Sequence, residues 1–84
     1  MRLTVRYFAV LRERAGVEAE DLTWDGPAPD VGVLREHLAA RAPALGELLR
    51  SGSLLVAVNR EYATPGTRLR DGDEVAFLPP VTGG

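Results

Sequence analysis

The chain contains no cysteine and no lysine, and only a single histidine. Without cysteine there is no disulfide framework, no thiol nucleophile and no cysteine-ligated zinc, so stability must come from packing alone. All ten basic residues are arginine. Hence no lysine of this chain can accept an acyl group. No apolar run approaches the length of a membrane span, and Met1-Arg2 leads directly into an alternating pattern without an apolar signal core. A cytosolic protein is expected. Walker and dinucleotide glycine patterns are missing, and a net charge of -2 argues against a nucleic-acid footprint. At 84 residues, 45% of them hydrophobic, the chain fits one small domain around a single core.

What is present alternates first and turns helical later. Leu3, Val5 and Tyr7 share one face of a half-buried strand, with Arg2, Thr4 and Arg6 on the other. Phe8 to Ala15 predicts a short helix, stopped by Gly16 in a left-handed conformation. Val17 to Trp24 predicts a second strand with a bulge or a late start, because Val17 and Ala19 are out of phase with Leu22 and Trp24. Asp25 to Pro29 is a loop, and Asp30 is placed to cap the main helix. Val33 or Leu34, then Leu38 and Ala42, form its buried stripe, while Arg35, Glu36 and Arg41 lie outside it. Pro43 interrupts the helix, and Leu45, Leu48 and Leu49 add a further apolar turn. Leu54 to Val58 is five apolar residues long, which predicts a central strand buried on both faces. A brief strand at Glu61-Tyr62 and an Asp71-Gly72-Asp73 turn lead to a last strand, Glu74 to Leu78.

This order predicts an α+β domain, a β-grasp with one mixed sheet packed on a main helix, in which the first and last long strands are parallel and central. The helix then covers one sheet face and leaves the other wet. If Val75 and Phe77 point inward, Leu78 points outward, and with Phe8 and Tyr62 nearby it makes an apolar patch suited to a partner. Pro79-Pro80 must end the last strand. The expected domain is therefore 1–78, and 79–84 forms an extended tail. Gly83 and Gly84 carry no side chain, so this strip can enter a narrow channel and present a free carboxylate. Gly84 is the candidate reactive residue.

Other constellations carry less. His37 lies on the main helix with no serine or cysteine beside it to serve as nucleophile, and reads as a solvated face. Asp71, Asp73 and Glu74 are explained by their turn, and no metal site is assigned. Glu18, Glu20 and Asp21 charge an edge strand against association. Arg12 and Arg14 are placed to meet an acidic partner surface.

Tyr7-Phe8-Ala9, Leu11-Arg12-Glu13, Ala15-Gly16, Val58-Asn59 and above all Asp71 to Phe77 running into Pro79-Pro80-Val81-Thr82-Gly83-Gly84 resemble the MoaD family, the small subunit of molybdopterin synthase. The resemblance runs from end to end and implies a ubiquitin-like sulfur carrier. It implies that an E1-like enzyme, using ATP and Mg, adenylates the Gly84 carboxylate, and that a sulfurtransferase or desulfurase supplies the sulfur that makes it a thiocarboxylate. The tail, with Pro79, Pro80, Val81 and Thr82, would then enter the large synthase subunit, which carries the catalytic groups, and sulfur would pass to cyclic pyranopterin monophosphate. Phe8, Tyr62 and Leu78 fall on the family's apolar partner-binding surface. The chain itself binds no cofactor in this reading. A carrier for thiamin or tRNA thiolation, a protein modifier, and a binding module with an inert tail stay open as alternatives.

Overall fold

A computed structural model describes residues 1–80. Eight elements follow in order: β1 (Arg2–Tyr7), α1 (Val10–Ala15), β2 (Ala19–Thr23), α2 (Val31–Arg41), α3 (Pro43–Leu49), β3 (Leu55–Val58), β4 (Glu61–Tyr62) and β5 (Glu74–Leu78). They build one five-stranded sheet in the order β2-β1-β5-β3-β4. β1 and β5 are its parallel centre, and every other pairing is antiparallel.

The alternation of β1 sends Leu3, Val5 and Tyr7 into the core, where Val75 and Phe77 of β5 meet them in register. From the helical side come Leu11 of α1, Val31, Leu34, Leu38 and Ala39 of α2, and Leu45 and Leu49 of α3. Leu34 rather than Val33 carries the stripe of α2; Val33 is half exposed. Pro43 does not merely interrupt α2. It opens α3 as the first helical residue, where its missing N–H is no loss. α3 then packs closely on α2, since a Cβ on Gly46 would stand 3.2 Å from the Ala39 carbonyl oxygen.

One expectation is overturned. Leu54 to Val58 is not buried on both faces: β3 lies between β5 and the two-residue edge strand β4, and Leu55 is 49% exposed. All three helices contribute their buried side chains to one core, so among the described residues nothing covers the second face of the sheet. The apolar run instead supplies core residues at Leu54 and Val56 and a partly exposed apolar surface on the other side.

Candidate functional site: a hollow on the bare sheet face

The pairing registers place four residues in one row across the uncovered face. Arg6 of β1 is opposite Ala76 of β5, Ala76 is opposite Ala57 of β3, and Ala57 is opposite Tyr62 of β4. Two long side chains thus flank two methyl groups across about 14 Å, three strand spacings. The result is a hollow of about 340 Å³ whose floor is Ala57 and Ala76 and whose walls are Arg6, Phe8, Arg60, Tyr62, Glu74 and Leu78. Leu78 is paired with Leu55 in the neighbouring row, which extends the apolar surface. Tyr62 is 78% exposed and Phe8 39% exposed, so an aromatic ring stands open to solvent on each side of the hollow.

Phe8 stands where β1 turns into α1. The next residue, Ala9, has φ 53° and ψ -129°, a backbone conformation that glycine adopts freely and alanine does not. This bend sends Phe8 out on the bare face while Leu11, one turn further, goes into the core. The Arg6 guanidinium lies over the Phe8 ring, 5.9 Å from its centroid. Its Nη1 is 4.0 Å from Glu74 Oε1, an ion pair at the limit of contact between partly exposed groups and worth little.

On the opposite rim, β3 and β4 are joined by Asn59 and Arg60, with φ of 51° and 70°. Two left-handed residues in a row make the tight hairpin turn whose twist matches the strands. Asn59 tolerates that geometry, and its side chain is held at both ends. Its amide donates to Asp73 Oδ1 at 2.9 Å, and its Oδ1 accepts from the Glu74 N–H at 3.0 Å. The Asp73 carboxylate also accepts from the Arg70 N–H, and Asp71 accepts from the Arg2 N–H, so both carboxylates hold the turn that starts β5. Among the described residues no group of three or more metal-ligating side chains assembles.

The structure therefore brings Phe8, Tyr62 and Leu78 together as walls of one hollow. Arg12 is exposed on α1 and is not among the residues lining it. Pro79 and Pro80 follow Leu78 directly and cannot extend the ladders that β5 makes on either side. Val81, Thr82, Gly83 and Gly84 lie outside the described residues. Strand parity put Arg6 on the outward face of β1 and Ala76 outward beside Leu78, and Glu74 was read only as a turn carboxylate, but sequence reasoning assigned none of these, nor Ala57 or Arg60, to the site. Arg60 gives no such signal, because only its left-handed turn brings it to the rim.

A helix-backed mixed sheet with parallel central strands, one bare face and a central strand that ends in Pro-Pro defines a ubiquitin-like β-grasp domain. A family model described as the ThiS family matches residues 5–84, and the chain belongs to that family. The molybdopterin synthase sulfur carrier subunit of Escherichia coli is 44% identical over 82 residues, covering 98% of this chain and 99% of that protein. Among solved structures, the small archaeal modifier protein 1 of Haloferax volcanii has a TM-score of 0.79 at 33% identity, covering 95% of this chain and 98% of that one. A chain in the complex of subunits 1 and 2 of the molybdopterin-converting factor from Helicobacter pylori has a TM-score of 0.68 at 30% identity, with full coverage of both.

Proposed function

We propose that this chain is the sulfur carrier of a molybdopterin synthase. Residues 1–78 form the carrier body, and 79–84 form the arm that bears the reactive carboxylate at Gly84. The observation that carries this reading is the position of the apolar hollow. Leu78, the last residue of β5, forms part of its wall, and the next residue begins the Pro-Pro step. A partner that covers the hollow is thereby beside the start of the arm, and can receive the remaining residues in a channel. The end-to-end similarity to proteins named as molybdopterin synthase sulfur carriers supports the same assignment.

The chemistry needs an activated acyl carbon. A carboxylate is a poor acyl donor because its oxygen leaves badly. On an E1-like enzyme, with ATP and Mg bound there, the Gly84 carboxylate oxygen bonds to the α-phosphorus of ATP, and pyrophosphate leaves. The outer sulfur of a persulfide on a sulfurtransferase or desulfurase then attacks the carbonyl carbon and AMP leaves, giving an acyl disulfide. A thiol reductant breaks its S–S bond, is itself left as a disulfide with the donor's sulfur, and a thiocarboxylate remains. Its sulfur is a soft nucleophile, which the large synthase subunit directs to cyclic pyranopterin monophosphate. This chain contributes docking through Phe8, Tyr62 and Leu78. Pro79 and Pro80 hold the arm away from the sheet, Val81 and Thr82 continue it, and Gly83 and Gly84 let it pass a narrow channel without a Cβ. Arg12, exposed on the neighbouring helix, is available to an acidic partner surface. The setting for this exchange is the cytoplasm.

Intact-protein mass spectrometry tests the proposal. After incubation with activating enzyme, ATP and a sulfur donor, the protein should gain the mass of one sulfur-for-oxygen exchange, and a variant lacking Gly84 should gain none. The loaded protein should then yield molybdopterin with the large subunit. A loaded protein that fails this step but thiolates tRNA, or forms an isopeptide with lysine, would instead be a carrier for another pathway or a modifier. The likeness to an archaeal modifier protein keeps that second reading in view.

A further inference from the structure

The charged groups around the hollow do not balance. Two arginines, Arg6 and Arg60, face it against one carboxylate, Glu74, although the chain as a whole has a net charge of -2. Arg60 makes no ion pair among the described residues, and Arg6 has only its 4.0 Å approach to Glu74. The Nε–H of Arg6 is already shielded from solvent and donates to no acceptor among the described residues. Arg60 also occupies a position that disfavours it: at φ 70° glycine would fit without strain. A strained turn that retains a long cation at the rim of a docking surface has a use for the cation.

A partner that dries this hollow removes water from both guanidinium groups. An unpaired cation so buried costs more than the apolar contacts at such a rim would return. We infer that the partner surface closing the hollow carries acidic side chains beside its apolar ones, and that Arg6 and Arg60 read those carboxylates and reject partners without them. The inference rests on the proposed function and deepens it: the apolar walls supply contact area, and the two arginines supply selectivity and steering. The forked donors of a guanidinium suit a carboxylate better than a point charge would.

The test is titration calorimetry against the large synthase subunit encoded in the same genome, at low and high salt, with unfolding measured on each variant. Arg60→Gly relieves the turn, so it should raise the unfolding midpoint and yet bind about tenfold more weakly at low salt, with a shallower dependence on salt. Arg6→Met keeps an apolar stem but removes the guanidinium, its place over the Phe8 ring included, and should behave alike in binding. Phe8→Ala should weaken binding while keeping the wild-type salt dependence. If both arginine variants match the wild type in affinity and salt response while Phe8→Ala does not, the inference falls and the functional reading stands. If Phe8→Ala also binds as the wild type, the hollow is not the interface and the inference falls with it. A wild-type protein that does not bind the large subunit at all would overturn the functional reading itself.

Discussion

At the scale of single residues, a polar linkage at the edge of the core is one that periodicity does not announce. Tyr7 is 1% exposed and its hydroxyl donates to Glu20 Oε2 at 3.4 Å, while Arg41 Nη2 donates to Glu20 Oε1 at 2.5 Å. A residue read as an edge charge and one read as outside the helical stripe thus clamp α2 against β2. Burial, and then the negative charge of Glu20, pushes the Tyr7 hydroxyl up to about 12 from 10.0, with Arg41 opposing. The folded state therefore holds this proton more tightly than the unfolded chain. The contribution is complete below the unfolded pKa and is lost as pH rises from about 10 through about 12. It amounts to about 3 kcal/mol. Denaturant titrations across that range should show stability falling in the wild type and a flatter profile in Tyr7→Phe. His37, by contrast, sits as an exposed helical residue, edge-on to Trp24 at 5.0 Å between ring centroids.

At the scale of elements, local chemistry decided most boundaries. Gly16 ends α1 at φ 77°, and β2 starts late at Ala19, as the broken phase of Val17 required. Asp30 caps α2 by accepting the Val33 N–H at 2.8 Å. That end of the helix is also tied to the β4–β5 connection, through Val31 N–H to the Thr67 carbonyl and Gly32 N–H to the Pro65 carbonyl. Asp30→Ala should therefore cost about 1 kcal/mol without displacing the helix. Chemical denaturation should show the lower midpoint, and far-ultraviolet circular dichroism an unchanged spectrum. Outside the core, Arg50 lays its guanidinium on both oxygens of Glu36, a fork between α3 and α2 that holds this carboxyl below its usual range. What the elements do not reveal is neighbourhood. A five-residue apolar run looks the same whether a second layer of helix covers it or an external partner does.

At the scale of the whole molecule, segregation of the helices to one side leaves the opposite face bare among the described residues. Leu78→Ser tests this division of labour. Leu78 is half-buried on that face and packs no core residue's position, so the unfolding midpoint should shift little. Affinity for the large synthase subunit should fall about tenfold, the loss expected of an apolar contact central to an interface. A collapse of stability together with binding would instead assign Leu78 to the core. Among the described residues, no helix is long and apolar enough to cross a membrane.

Composition and order were enough to set the β-grasp, the inward faces of β1 and β5, the cap and stops of the helices, and the outward direction of Leu78. These follow from the two-residue period of strands, the 3.6-residue period of helices and the restricted angles of proline, all of which act between near neighbours. Only the tertiary structure decided that Arg6, Ala76, Ala57 and Tyr62 share a row, and that Arg60 reaches the same rim. The row depends on the registers of three strand pairs separated by up to seventy residues, and the rim on two left-handed residues in a turn. Such long-range registry is set by burial of the common core, and no local pattern encodes it.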